Sequence, residues 1–180
     1  MPDAVRRTLV LGGTRSGKSA YAEDLLPSDL PVRYLATARI DPADGEWTAR
    51  IDVHRARRPS TWTTVETAEV AAELLRSHPD PMMVDDLATW LTGAMDDAGS
   101  WSDEPGAPAE LAHQVDALVR AVRDCRCRVV LVSAEVGLGV VPETRSGRLF
   151  RDELGALNAR LAQVCDEVVL LVAGIPLKLR

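Results

Sequence analysis

The most constraining feature of this chain is an eight-residue run, Gly12-Gly13-Thr14-Arg15-Ser16-Gly17-Lys18-Ser19, which has the spacing G-x-x-x-x-G-K-[ST]. It follows a short apolar strand, Thr8 to Leu11, and enters a helical stretch, Ser16 to Leu26, that Pro27 stops. Glycines let the backbone curl until successive N–H groups face phosphate oxygens. The helix that follows adds the positive end of its dipole. In such a loop Lys18 reaches the β- and γ-phosphates of a nucleotide, and the Ser19 hydroxyl ligates Mg²⁺.

The rest of the chain alternates short apolar runs with amphipathic stretches, the pattern of an α/β protein whose sheet is mostly parallel and flanked by helices. Strands are expected at Val32 to Ala36, Trp62 to Val65, Met82 to Val84, Arg128 to Ser133 and Val168 to Val172. Helices are expected at Glu46 to Arg57, Thr67 to Ser77, Leu111 to Arg123 and Arg145 to Cys165. Asp96 to Pro108, rich in Asp, Gly, Ser and Pro, reads as a loop. Ile175 to Leu179 reads as an edge strand, where Pro176 is tolerated. The 180 residues fit a single domain, 1–180.

Composition removes several function classes. No apolar run approaches the roughly 20 residues of a membrane helix, so no membrane span is expected. With 21 basic and 27 acidic residues the net charge is −6, which argues against a nucleic-acid partner. Three cysteines, Cys125, Cys127 and Cys165, without an export signal point to a reduced, cytoplasmic protein. Cys125-Arg126-Cys127 lacks a second ligand cluster, so it reads as buried thiols rather than a metal pair.

A phosphate loop needs a further carboxylate for the metal. Asp85, directly after the apolar run Met82-Met83-Val84, is the first candidate, and Asp86 is the reserve. The alternative for either is a helix N-cap or a turn. His54 stands among Arg50, Arg55, Arg57 and Arg58. That is either a solvated helix face or a phosphate-handling patch around a nucleophilic imidazole. His78 and His113 sit in bland contexts and read as structural. Glu135 to Glu143 carries two glycines after a strand, a mobile or tightly turned loop at the sheet edge where α/β ligands bind. Arg148 and Arg151 share a helix face, where they meet an anionic substrate or pair with Asp152 and Glu153.

Six segments in order, GGTRSGKS (12–19), YLATA (34–38), RIDVHRARRP (50–59), VDDLATWLT (84–92), EVGLGVVP (135–142) and RLFRDELGALN (148–158), together resemble one family. It is the bifunctional adenosylcobinamide kinases / adenosylcobinamide-phosphate guanylyltransferases of cobalamin synthesis, and the similarity runs from about Thr8 to Lys178. The resemblance implies a P-loop fold of the RecA-like group, assembled as a homotrimer, with GTP and ATP as substrates and Mg²⁺ as cofactor. One implied reaction phosphorylates the aminopropanol hydroxyl of adenosylcobinamide. The other transfers GMP from GTP to adenosylcobinamide phosphate through a guanylylated histidine, giving adenosyl-GDP-cobinamide. His54 matches that histidine, and Lys18 is the catalytic lysine of the loop. Gly12, Gly13, Thr14, Arg15, Ser16, Gly17, Lys18, Ser19, Ala36, Thr37, Ala38, Arg55, Ala56, Arg57, Arg58, Glu66 and Asp85 line the implied GTP site. Ser19 and Asp85 are the implied metal ligands.

The chain departs from its resemblance at four places. Val53 stands where some members have a second histidine, Asp86 where Cys is frequent, and Gly93 and Ala134 where Asn is frequent. A P-loop small-molecule kinase without guanylyltransferase activity is the competing reading, and a non-catalytic nucleotide-binding regulator is a third. A covalent GMP adduct separates the first from the second.

Overall fold

The computed structural model describes residues 6–39, 58–76, 78–102 and 106–180. The strands are β1 (Arg7–Gly12), β2 (Val32–Ala36), β3 (Trp62–Glu66), β4 (Met82–Asp85), β5 (Val129–Ala134), β6 (Glu167–Val172) and β7 (Ile175–Lys178). The helices among the described residues are α1 (Lys18–Asp24), α2 (Val70–Leu75), α3 (Leu87–Asp97), α4 (Ala107–Asp124) and α5 (Arg145–Val164). The strands form one sheet in the order β3-β2-β4-β5-β1-β6-β7. Every pairing is parallel except β6 with β7, the antiparallel edge on which Pro176 sits.

β1 lies between β5 and β6 and is buried from Thr8 onward. A parallel strand covered on both faces reads as a continuous apolar run, which is what Thr8 to Leu11 and Val129 to Val132 are. Alternate residues serve two unequal layers. Leu9 and Leu11 join Leu35, Val84, Leu131 and residues of α2, α3, α4 and α5 on one side. Val10 joins Tyr34, Met83, Val130 and Val132 with Ala22 and Leu26 on the other.

Several boundaries differ from the sequence expectation, each for a local reason. The helix expected from Ser16 starts only at Lys18, because Gly17 is left-handed at φ +88° and the loop occupies the residues before it. The helix expected at Thr67 to Ser77 is shortened to Val70–Leu75. The Thr67 hydroxyl accepts the Glu69 N–H at 2.9 Å, and Arg76 is already extended. The expected loop at Asp96 to Pro108 is a correction: α3 runs through Asp97, a 3₁₀ turn takes Ser100–Ser102, and α4 begins at Ala107. The first nine residues of α3, 87–95, fall in a stretch assigned above to no element. Its signal is a capping Asp86 followed by Leu87, Trp90, Leu91, Ala94 and Met95 on one buried stripe. The helix expected at Glu46 to Arg57 lies outside the described residues.

Cys125 and Cys127 join α4 to β5 with both thiols buried and 3.3 Å apart. The hydrogen bond from Cys127 is the main cause that lowers Cys125 to about 7 and raises its partner. Buried Cys165 ends α5, and desolvation pushes its thiol up to about 12.

The N-terminal end of β1 is anchored by one carboxylate. Asp166 accepts the backbone N–H groups of Arg6 and Arg7 at 3.1 and 2.9 Å and the Arg7 guanidinium at 3.1 and 3.3 Å. Burial raises this carboxyl, but the Arg7 side chain and the two N–H groups outweigh it and hold the pKa below the usual aspartate value. A lowered folded-state pKa means that the stabilisation is present above the ordinary aspartate pKa. It is lost as pH falls through the lowered value. Asp166→Asn is expected to cost about 1 kcal/mol at neutral pH, given the partial exposure of the pair. In urea melts the gap from wild type narrows as pH drops below the carboxylate range, and a gap constant with pH would contradict the anchor.

Candidate active site

The parallel register brings the C-terminal ends of the strands to one edge. Gly12 pairs with Ala134, and Ala36 pairs with both Glu66 and Asp85. Sequence-predicted positions from four distant segments therefore meet there without any side chain having to reach far. Glu66 is exposed on the outer strand of this row.

From Gly12 the chain turns through Gly13, Thr14 and Arg15, and the Ser16 N–H bonds back to the Gly13 carbonyl at 3.3 Å. The Gly174 N–H holds the Ser16 carbonyl at 3.0 Å. Gly12 has no room for a side chain, since a Cβ there would lie 2.3 Å from Ser16 Oγ and 3.1 Å from the Leu171 carbonyl. That hydroxyl is buried with no hydrogen-bond partner among the described residues. A polar atom held in this condition within a loop of N–H groups is open to an anionic ligand. Lys18 Nζ rests on the Gly13 carbonyl at 3.5 Å, folded across the loop it would serve.

Asp85 and Asp86 do different jobs. Asp85 Oδ1 accepts the Ser19 hydroxyl at 3.3 Å, and Oδ2 accepts the Tyr34 hydroxyl at 2.5 Å. Asp86 Oδ1 instead caps α3 by accepting the Thr89 N–H at 2.7 Å. The Ser19–Asp85 pair offers hard oxygen donors at the mouth of the loop. That set suits a magnesium ion, which takes one or two protein oxygens with substrate phosphates and water. Among the described residues no cluster of three His, Cys, Asp or Glu side chains forms another metal centre.

Of the YLATA segment, Thr37 is buried and spends its hydroxyl on the Asp86 carbonyl at 2.7 Å. It braces the Asp85–Asp86 turn. Ala36 accepts the Thr67 N–H at 3.0 Å through its carbonyl, and Ala38 follows on the half-buried rim. Arg58 lies over the Tyr34 ring, 3.3 Å from its centroid, and its Nη1 donates to the Thr64 hydroxyl at 2.8 Å. His54, Arg55, Ala56 and Arg57 lie outside the described residues.

Beyond β5, the Glu135 N–H bonds to the Gly12 carbonyl at 3.1 Å, and its Oε1 accepts the Gly137 N–H at 2.7 Å. The glycine-bearing loop therefore starts from a turn tied to the phosphate loop, while Leu138 and Val140 stand exposed. Arg148 donates to the Pro142 and Glu143 carbonyls at 3.1 and 2.6 Å and so closes the far end of that loop. Arg151 pairs with Asp152. Buried Asn158 accepts from Ser133 at 2.6 Å and donates to the Ala134 carbonyl at 3.0 Å, pinning α5 to the end of β5. His113 is exposed, and His78 contacts Arg33 at 3.3 Å.

Tyr34 is the contributor that sequence reasoning missed. Burial, followed by the charge and hydrogen bond of Asp85, raises its phenol far above the ordinary tyrosine value, so it stays a donor. The available signal was a polar-tipped aromatic in a strand beside the one that ends at the candidate metal carboxylate.

The family model described as cobinamide kinase / cobinamide phosphate guanyltransferase matches residues 8–179. The chain is 41% identical over 180 residues to a bifunctional adenosylcobalamin biosynthesis protein, CobP, of Pseudomonas aeruginosa, covering 97% of each chain. It is 38% identical over 180 residues to the corresponding CobU of Escherichia coli K12, covering 96% of this chain and 98% of that one. Among solved structures, it resembles the assembled ATPase EscN of the enteropathogenic E. coli type III secretion system. There the TM-score is 0.52 at 15% identity, over 94% of this chain and 43% of that one, a likeness of fold.

The division of labour between the two aspartates is testable. Asp86→Ala removes a cap and is expected to cost about 1 kcal/mol of stability in chemical denaturation. Its GTP affinity in Mg²⁺, measured by calorimetry, should change little. Asp85→Asn should keep its stability and lose the Mg²⁺-dependent part of GTP binding. The reverse pattern would exchange the two roles.

Proposed function

The chain belongs to the cobinamide kinase / cobinamide phosphate guanyltransferase family, and we propose that it carries out both reactions at its single described phosphate loop. The observation that carries this reading is Ser19 facing Asp85 at 3.3 Å across the mouth of that loop, in a chain matched to the family from residue 8 to 179. The substrates are adenosylcobinamide, its phosphate, and GTP or ATP.

In the kinase step the loop N–H groups and Lys18 hold the triphosphate, and Lys18 leaves the Gly13 carbonyl for the β- and γ-phosphates. The aminopropanol hydroxyl attacks the γ-phosphorus. The bond to the bridging oxygen breaks, and the hydroxyl proton leaves to solvent. Lys18 and the loop offset the charge that gathers on the phosphoryl oxygens. Ser19 and Asp85 would hold Mg²⁺, which would supply further neutralisation of that charge.

In the transfer step the neutral imidazole of His54 attacks the α-phosphorus of GTP and pyrophosphate leaves. A phosphate oxygen of the corrinoid substrate then attacks the same phosphorus, the P–N bond breaks with its electron pair returning to the His54 ring, and adenosyl-GDP-cobinamide forms. Neighbouring Arg55, Arg57 and Arg58 disfavour the imidazolium and offset charge on pyrophosphate. Alanines at 36 and 38 give the nucleotide close approach to the strand ends, and Glu66 borders the same edge.

A homotrimer belongs to the same proposal. Exposed apolar side chains at Val172, Ile175, Leu177 and Leu179 along the β7 edge support association with further copies. No helix among the described residues is long and apolar enough to cross a membrane. A cytoplasmic location fits the reduced cysteines.

Radiolabelled GTP with Mg²⁺, followed by denaturation, tests the covalent step. Wild type is expected to retain acid-labile, base-stable label. His54→Ala should lose the label and GMP transfer while keeping kinase turnover. Undiminished labelling would move the nucleophile elsewhere. Lys18→Ala should lower both activities by a hundredfold or more, about 3 kcal/mol of transition-state stabilisation. Near-normal GMP transfer in that variant would refute a shared loop.

A further inference from the structure

Asp85 is not an isolated carboxylate. Its two oxygens are taken by different donors, Ser19 on Oδ1 and Tyr34 on Oδ2. Tyr34 pairs in register with Met83 on β4, so Asp85 is its diagonal neighbour two residues further along the same strand. Tyr34 and Met83 belong to the same buried cluster, on the α1 side of the sheet. The phenol therefore lies along the sheet surface and meets the carboxylate end-on.

The ring cannot swing away. It is 2% exposed, flanked in the sheet by Thr64 and Met83, and covered on one face by the Arg58 guanidinium. A carboxylate with one oxygen pinned by an immobile donor has its plane and direction set before any ligand arrives. A donor that cannot follow the carboxylate also keeps its second oxygen from turning toward an incoming cation. The other oxygen, Oδ1, faces the Ser19 hydroxyl at the mouth of the loop.

We propose that Tyr34 is a positioning residue for the metal site: its hydroxyl orients the Asp85 carboxylate so that Oδ1, with Ser19, receives Mg²⁺ with the nucleotide. The proposal rests on the bifunctional reading above. Arg58 belongs to the same arrangement. It stacks on the Tyr34 ring, 3.3 Å from its centroid, and so helps to hold the phenol beside Asp85. Preorganisation of this kind lowers what a ligand has to reorganise on binding.

Tyr34→Phe isolates the hydroxyl, because phenylalanine keeps the ring, the packing and the Arg58 stack. GTP binding is measured by calorimetry across a Mg²⁺ titration and, separately, in EDTA, beside a thermal melt of the free protein. The expected result is an unchanged affinity in EDTA and a Mg²⁺ midpoint raised about tenfold, the scale of one hydrogen bond to a charged group. In an Asp85→Asn background, Tyr34→Phe should add nothing further. A variant that melts lower but keeps the wild-type Mg²⁺ midpoint would make Tyr34 a packing residue and overturn the proposal. So would an equal effect of Tyr34→Phe with and without Asp85. Absence of any Mg²⁺ dependence in wild type would instead defeat the reading of Ser19 and Asp85 as metal ligands.

Discussion

The pairing of β1 with β5 on one side and β6 on the other is the constraint on which the site depends. Buried on both faces, β1 has one tolerable register, because a slip would exchange its α1-facing and α5-facing side chains. That register ends the strand at Gly12 beside Ala134 and Leu171, so the phosphate loop must begin there. The Leu171 carbonyl lies where a side chain at position 12 would go, and the Glu135 N–H takes the Gly12 carbonyl. The strands thus form one side of the cradle as well as its support. Hydrogen bonds across the sheet keep the loop at a height from which Ser19 meets Asp85.

The two layers are unequal, and the site uses the inequality. α2, α3, α4 and α5 pack one face into the larger cluster, while α1 is the described helix that contributes to the other. Tyr34, Met83 and Asp85 alternate onto the α1 side, where the described residues place a polar chain beside α1. Arg58, Tyr34, Asp85 and Ser19 run in contact from β3 across to α1. A half-buried chain of this kind has little freedom, since the Tyr34 and Ser19 hydroxyls and the Asp85 oxygens are already joined and an unmade bond is costly there.

Most of the fold could be read from the chain because most of its strands are short apolar runs set between amphipathic stretches. The phosphate loop was legible for the same reason: its chemistry is mostly backbone, and glycine spacing reports backbone directly. Asp85 was legible from its place after Met82-Met83-Val84. Its separation from Asp86 was not, because cap and ligand are both aspartates and only the Thr89 N–H distinguishes them. α3 was obscured by an opening Asp-Asp pair that reads as a turn and by the Gly-rich stretch behind it. Tyr34 was invisible as a contributor because its partner is diagonal across a strand pairing, and sequence separation carries no trace of that. Boundaries shifted where a hydroxyl or a left-handed glycine started a helix later than periodicity alone would.

The departures from the family pattern also acquire a physical sense. Asp86, where Cys is frequent, supplies the cap of α3, and a thiol accepts an N–H far more weakly than a carboxylate does. Gly93, where Asn is frequent, lies under the Arg39 guanidinium. A Cβ there would sit 3.1 Å from Arg39 Nε, which holds its place while the guanidinium pairs with Asp97. Ala134 offers no polar side chain, but its carbonyl already receives Asn158 Nδ2, and the neighbouring Ser133 hydroxyl satisfies the amide oxygen. In each of these three places the substitution falls on a group that shapes the frame, and a neighbouring bond takes up the work. Ser19, Asp85 and Lys18, the residues proposed to meet the nucleotide, lie at the mouth of the loop itself, where Ser19 donates to Asp85 and Lys18 rests on the Gly13 carbonyl. A carboxylate oxygen already aligned by a buried phenol cannot be replaced by a change one strand away.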